Sequence, residues 1–213
     1  MKKLIIYISV LFFPFFLVSQ TEEEMRMIIE INKIRKDPKS YIPVVESYIK
    51  RQEILLSLMG NGNLTVKTKS STNILTTSND KGELLKSKSG SELINDEILV
   101  AKQLIVILEN MNPMDTLVFN PEMYVLTKVH GDYLKSINKF GHFGPNGDNC
   151  FKRMESIGIV TENVTNTCKY SLVNLIVDYG VPGYGHRGNI LNPKAKQISI
   201  SINEHCVVQN FML

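Results

Sequence analysis

The stretch G-H-R-G-N-I-L at residues 185–191 stands just before the clearest strand pattern of the chain. Isoleucine alternates with serine over residues 198–202, which predicts a half-buried strand. Residues 206–212 predict a second strand, and residues 203–205 join the two. The C-terminal part of the chain is therefore predicted to form a sheet.

The part of the chain before this stretch has apolar residues at helical spacing. The predicted helices cover residues 22–37, 41–58, 91–110, 121–138, 150–156 and 170–179. Ser91 is the predicted N-cap of the third of them, and Val129 is predicted to face the core from the fourth. Helices that come early and strands that come late predict the α+β class, with helices covering an antiparallel sheet.

The first 20 residues have the pattern of a secretory signal peptide. Lys2 and Lys3 precede an apolar run over residues 4–18, and polar residues follow it. The alternative is an uncleaved membrane anchor, but the run is shorter than the about 20 apolar residues that a spanning helix needs. We therefore predict a secreted or periplasmic protein with no transmembrane segment after signal removal. Residues 21–213 are predicted to form one domain, with an irregular insertion at about 60–90.

Charge and cysteine content narrow the class of protein. The chain has 24 Lys and Arg against 21 Asp and Glu, and a nucleic-acid surface would need a clustered basic excess. The three cysteines are Cys150, Cys168 and Cys206, an odd number that leaves at least one thiol unpaired. Export permits disulfides, and a bridge between Cys168 and Cys206 is the preferred pairing. Cys150 lies close in sequence to His142, which also suggests a thiol protease, but an exported thiol more often ends in a disulfide.

Three histidines are candidates for chemistry. His142 and His186 lie in predicted glycine-flanked loops, and Glu162 lies on a short segment between them. Two histidines and a carboxylate can hold a divalent cation or act as a general acid and base. The alternative is that these histidines only bond to nearby backbone. His130 shares a predicted helix with Asp132, and a structural role is favoured for it because residues two apart on a helix point in different directions.

The order of several short motifs is similar to that of a known family. The motifs are Asn32-x-x-Arg35, Gly141-His142, Arg153, Glu162-Asn163, Asp178-Tyr179-Gly180-Val181-Pro182 and Gly185-His186-Arg187-x-Asn189-Ile190-Leu191. Together they resemble the CAP superfamily, which contains the cysteine-rich secretory, antigen 5 and pathogenesis-related 1 proteins, in its bacterial secreted branch. The G-H-R-x-N-I-L motif is the most specific of them.

This resemblance implies an α-β-α sandwich with a central groove. His142, Glu162 and His186 match the family's groove residues, which in some members bind Zn²⁺ or another divalent cation. Asp178 is the nearest candidate for the second acid of that groove, unless it faces away on the preceding helix. Thr161 stands where the family has glycine, and the chain has no tryptophan. The resemblance also implies supporting roles for Arg153, Asn163, Asp178, Arg187 and Asn189.

Three functions are compatible with these residues. The first is a secreted binding protein whose groove takes a lipid or other small hydrophobic ligand, a peptide or a cell-envelope component. The second is a metal-assisted hydrolase acting on peptide bonds. The third is a structural or adhesive envelope protein. A non-enzymatic protein is favoured, because no nucleophile is evident and the second acid has no clear match.

Overall fold

The computed structural model describes residues 20–60, 89–166 and 171–213. The predicted signal peptide, the predicted insertion and Cys168 lie wholly or almost wholly outside these residues. Within the described part, no helix is long and apolar enough to cross a membrane.

The helices occupy most of the segments predicted for them. In chain order they are α1 (Glu22–Lys36), α2 (Ile42–Gly60), α3 (Gly90–Asn110), α4 (Pro121–Ser136), α5 (Cys150–Arg153), α6 (Leu172–Val177) and α7 (Gly185–Ile190). Short 3₁₀ helices at Pro38–Tyr41 and Pro182–Tyr184 precede α2 and α7. The predicted N-cap of α3 was wrong by two residues, because Ser89 and Glu92 form a capping box at its start.

Four strands form one sheet in the order β1-β3-β4-β2. The strands are β1 (Val118–Phe119), β2 (Val160–Asn166), β3 (Gln197–Ile202) and β4 (Cys206–Met212). β4 pairs antiparallel with both β2 and β3, which agrees with the predicted antiparallel sheet. The two-residue strand β1 pairs parallel with β3 at the edge of that sheet. β1 was missed because two residues are too short to show an alternating pattern.

β3 is buried on both faces, so the prediction of a half-buried strand was wrong. Ile198 and Ile200 lie in the main core, while Ser199 and Ser201 are 0% and 2% exposed. The serines lie beneath α4, where the hydroxyl of Ser199 is 2.5 Å from that of Thr127. A helix can cover this polar face because its own polar side chains satisfy the buried hydroxyl groups.

The approach of α4 to β3 depends on a glycine in the middle of the helix. A Cβ atom on Gly131 would lie 2.9 Å from the hydroxyl of Ser201. Val129, which was predicted to face the core, is instead 62% exposed. The buried stripe of α4 runs through Met123, Thr127 and Leu134 and includes polar residues, which the apolar pattern alone did not identify.

The Asn32-x-x-Arg35 motif of α1 ties three parts of the chain together. Asn32 accepts a hydrogen bond from the main-chain N–H of Leu117 at 2.7 Å and donates one to its carbonyl at 2.9 Å. The fully buried guanidinium of Arg35 donates to the carbonyls of Asp115, Ile190, Asn192 and Ala195. This motif therefore holds the segment before β1 and the segment after α7 against α1.

Candidate functional site

His142 lies against a carboxylate on one side of β2. Its Nδ1 lies 3.0 Å from Oε1 of Glu162, whose carboxylate is 2% exposed. Arg153, at the end of α5, donates to Oε2 of Glu162 at 2.6 Å and to the main-chain carbonyls of His142 and Asp148 at 2.8 Å. The Glu162 carboxylate is thus held between an arginine and an imidazole, and Arg153 also fixes the loop that carries His142.

His130 supports this loop from α4. It is 2% exposed, and its Nε2 lies 3.0 Å from the carbonyl oxygen of Gly141, the residue before His142. Burial lowers the pKa of His130, which favours the neutral ring. An Nε2–H that donates to Gly141 leaves Nδ1 as an acceptor, and Nδ1 has no hydrogen-bond partner in the described part of the chain. His130 therefore helps to position His142 and does not face the groove.

His186 belongs to a second pair, on the opposite side of the loop that carries His142. Its Nδ1 lies 2.8 Å from Oδ1 of Asp178, while Oδ2 of Asp178 accepts the main-chain N–H groups of His186 and Arg187. Asp178 ends α6 in the left-handed conformation, with φ 56°. That conformation turns its side chain toward α7, a position that helical periodicity in the sequence does not predict.

The G-H-R-G-N-I segment is itself the short helix α7. His186 therefore lies in the first turn of this helix, and the loop predicted to carry it ends before Gly185. Arg187 donates to the carbonyls of Ile176 and Val177, which are the last carbonyls of α6. Its guanidinium also lies 4.2 Å from the centre of the Tyr184 ring. A cation that binds the free carbonyls at a helix C-terminus stabilises that helix end, so Arg187 joins α6 to α7.

Asn163 and Asn189 connect the two pairs. The buried Asn163 donates to Gln209 on β4 at 2.9 Å and to the carbonyl of His186 at 3.3 Å. It accepts a hydrogen bond from Asn189 at 2.7 Å. These bonds attach α7 to the middle of β2, and so they set the distance between the segments that carry Glu162 and His186.

The two histidines line different cavities. His142 and Glu162 border an open cavity of about 290 Å³. His186 and Asp178 border a deeper one of about 590 Å³, whose opposite wall comes from α2 and α3. Phe140 lines the second cavity and His142 the first, so one loop contributes to both. Of the residues expected in one groove, His142 and Glu162 thus border the first cavity and His186 borders the second.

The arrangement does not fit a three-ligand metal site. Among the described residues, no group of three His, Cys, Asp or Glu side chains is placed to hold a metal ion. Each imidazole has its Nδ1 beside its own carboxylate, whereas a catalytic Zn²⁺ site uses three protein ligands around one ion. What each pair can do is orient an imidazole with its Nε2 as the remaining acceptor or base.

Cys150 is not placed as a nucleophile. It lies on the wall of the cavity beside His142, but its thiol donates to Asn210 at 3.3 Å. Burial, and secondly the charge of Glu162, raises the pKa of Cys150 to about 12. Among the described residues, Cys150 and Cys206 are buried and form no disulfide, and Cys168, the partner predicted for Cys206, lies outside these residues.

Sequence reasoning missed the part of the second cavity that comes from the N-terminal helices. Tyr48 of α2 and Glu97 of α3 line it and are hydrogen-bonded to each other. No motif marks either residue, and only the packing of α2 and α3 against α6 brings them opposite His186. A buried tyrosine and a glutamate at helical spacing are ordinary features of an amphipathic helix.

Comparison with solved structures gives distant similarities. An extracellular protein containing an SCP domain from Bacillus anthracis str. Ames is 17% identical, with a TM-score of 0.41; the match covers 60% of this chain and 44% of that one. An outer surface protein from Borrelia burgdorferi is 14% identical, with a TM-score of 0.39; that match covers 58% of this chain and 94% of the other. This chain thus spans less than half the length of the Bacillus protein. No curated protein matches it.

The family comparison covers most of the sequence. The family model of the cysteine-rich secretory protein family, CAP, matches residues 31–212. That range begins within α1, contains every strand and both histidine–carboxylate pairs, and ends at the last residue of β4. The mixed α+β fold with a four-stranded sheet confirms the predicted fold class. The chain therefore belongs to the CAP family of cysteine-rich secretory proteins.

Proposed function

We propose that this CAP domain is a secreted, non-enzymatic binding protein, and that its ligand occupies the cavity beside His186. The observation that carries this proposal is the size and lining of that cavity. Its volume of about 590 Å³ falls within the range of small-molecule sites. Apolar side chains such as Leu93, Ile94 and Leu175 share its wall with His186, which Asp178 orients.

The pair formed by His142 and Glu162 has a secondary role in this proposal. His142 is 52% exposed at the side chain and borders a smaller and more open cavity. It extends the polar surface beside the main cavity, so that a ligand longer than the cavity reaches both histidines across Phe140. Secretion is part of the proposal and rests on the N-terminal pattern and on the family.

Filling the cavity tests this function. Leu93→Trp places a large side chain in the cavity wall, and Leu99→Trp places the same side chain on α3 at a position that is 56% exposed. Purified wild type and both variants are incubated with a lipid and peptide extract, washed, and analysed by mass spectrometry. We expect Leu93→Trp to retain at least about tenfold less of the bound compound, and Leu99→Trp to match wild type.

If Leu93→Trp retains as much of each compound as wild type does, the cavity beside His186 is not the binding site. Thermal unfolding of the two variants shows whether a loss of binding reflects a loss of folded protein.

A hydrolase is the second candidate, and the His186–Asp178 pair favours it. A carboxylate that holds Nδ1 of an imidazole leaves Nε2 as a general base, as in other hydrolytic sites. In a metal-assisted form of the reaction, a divalent cation would polarise the attacking water. The described residues do not supply three ligands for such an ion, and those of them that line the cavity include no serine or cysteine.

Metal analysis separates the two candidates. We expect purified wild type, His142→Ala and His186→Ala to contain the same low amount of divalent metal after dialysis against micromolar Zn²⁺, because the two histidines serve different cavities. About one equivalent of metal in wild type, lost in either variant, would favour the metal-assisted hydrolase. Cleavage of a mixed peptide library by wild type and not by His186→Ala would favour a hydrolase without metal.

A further inference from the structure

The charged residues that line the cavity beside His186 are acidic. Sixteen of the described residues line it; among these Glu97 and Asp178 are acidic, and none is lysine or arginine. We propose that the cavity binds aliphatic primary amines, with the ammonium group against Glu97 and the apolar arm against Leu93 and Ile94. This inference rests on the proposed function, because it names the ligand chemistry of the same cavity.

The two acids are not equivalent, and Glu97 is the one that is open to a ligand. Asp178 already accepts hydrogen bonds from the ring of His186 and from the main-chain N–H groups of His186 and Arg187, and its side chain is 1% exposed. Glu97 accepts a hydrogen bond from the Tyr48 hydroxyl through Oε1. Within the described part of the chain, its Oε2 has no hydrogen bond.

The Tyr48 hydroxyl does not neutralise the charge of Glu97. Burial, and secondly the hydrogen bond to Glu97, raises the pKa of Tyr48 well above its usual range. The phenol therefore stays protonated and acts as a hydrogen-bond donor that fixes Oε1 in place. A partly buried carboxylate with a fixed orientation and one free oxygen favours a ligand that carries positive charge.

His186 adds a second acceptor in the same cavity. Its Nδ1 lies 2.8 Å from the buried carboxylate of Asp178, which in a neutral ring places the proton on Nδ1, because a carboxylate accepts hydrogen bonds. The ring nitrogen left to meet a ligand is Nε2, which in this tautomer accepts a hydrogen bond. An ammonium group has three donors and no acceptor, so it complements both Glu97 and His186, whereas a carboxylate ligand complements neither.

The apolar wall of the cavity is suited to the alkyl part of the ligand. Leu93 and Ile94 of α3, Leu175 of α6 and Val181 all line the cavity. A volume of about 590 Å³ accommodates an alkyl chain of several carbons beside the charged group. The ligand class is therefore an aliphatic amine, whether it comes as a free alkylamine or as the lysine side chain of a peptide.

Three probes that share an eight-carbon chain and differ in the polar group test the inference. Octylammonium, octanol and octanoate are titrated into the purified protein below their aggregation concentrations, and binding is measured by calorimetry. We expect octylammonium to bind about tenfold more tightly than octanol, because a charged hydrogen bond is stronger than a neutral one, and octanoate to bind most weakly. N-acetyl-lysine amide and a lysine-containing peptide then distinguish the two sources of the amine.

Glu97→Gln is the decisive variant, because it keeps the shape of the side chain and an acceptor for Tyr48. We expect it to reduce the preference for octylammonium over octanol to about twofold or less. Glu46→Gln, on the exposed face of α2, is the matched control and should keep the preference.

Equal binding of the three probes, tighter binding of octanoate, or an unchanged preference in Glu97→Gln would overturn the inference. In each of these cases the proposed function survives, because a ligand still occupies the cavity. Binding of none of the probes overturns the inference too, and the Leu93→Trp experiment then decides separately whether the cavity binds any ligand.

Discussion

Arg35→Met is expected to lower the free energy of unfolding by about 3–5 kcal/mol, because several carbonyl oxygens would lose their charged donor at about 1–3 kcal/mol each. The guanidinium of Arg35 is fully buried and is hydrogen-bonded to four carbonyl oxygens from two distant segments. Methionine has a similar apolar volume but no donor. Each carbonyl would therefore lose a charge-assisted hydrogen bond, and the carbonyl of Asn192 would keep the bond from the main-chain N–H of Ala195.

Urea denaturation followed by circular dichroism measures this change. Arg26→Met is the matched control, because Arg26 lies on the same helix with its side chain 72% exposed and is paired only with Glu22. We expect the control to change stability by less than about 0.5 kcal/mol. Should Arg35→Met fail to fold, Asn32→Ala, which removes a milder part of the same motif, is expected to cost about 1–3 kcal/mol. Stability within error of wild type for both variants would refute this account of the motif.

Asp178→Ala is expected to be almost as destabilising, at about 3 kcal/mol or more, and to abolish ligand binding in the cavity beside His186. The change removes the acceptor of two main-chain N–H groups and of the His186 ring. It also places alanine at a φ of 56°, where an L residue with a Cβ is strained by about 1–2 kcal/mol. The start of α7 would lose its attachment to the end of α6.

Asp178→Asn separates the two consequences. Asparagine tolerates the left-handed conformation and keeps one oxygen for the main-chain N–H groups, so stability should fall by only about 1–2 kcal/mol. Its amide group would face Nδ1 of His186, and the ring would have to carry its proton on Nε2 instead. ¹⁵N NMR of the imidazole is expected to show this change of tautomer, together with weaker binding of amines.

Asp132→Asn is the control for this experiment, since Asp132 lies on the surface of α4 and pairs with Lys128. It should leave both the imidazole ¹⁵N shifts and the stability unchanged. If Asp178→Asn also leaves the His186 shifts unchanged, Asp178 does not determine the tautomer of His186.

Part of the fold follows from the sequence because local patterns are strong there. The apolar spacing of α1 and α3 predicted both helices, and the alternation at residues 198–202 predicted β3. The same patterns were misleading about exposure. Met25 and Ile29 of α1 are 47% and 62% exposed, while Ser199 and Ser201 are buried. Which face of an element is covered depends on what packs against it, and a single segment does not contain that information.

Some residues of the candidate site could be predicted from the sequence, and others could not. The ordered motifs identified His142, Glu162 and His186, and the structure places each of them at a cavity. They did not reveal that the two histidines border different cavities. They also did not reveal Tyr48 and Glu97, which belong to helices whose sequences carry no functional pattern.

The sequence by itself determined the family, the fold class and the positions of the two histidines, because these depend on residue types at fixed short spacings. Only the tertiary structure decided that each histidine pairs with its own carboxylate and that α2 and α3 form the wall opposite His186. The physical reason is that a hydrogen bond such as that between His186 and Asp178 depends on a backbone conformation and on the contact of distant elements. The left-handed turn at Asp178 and the packing of α3 against α6 are long-range outcomes of the whole core.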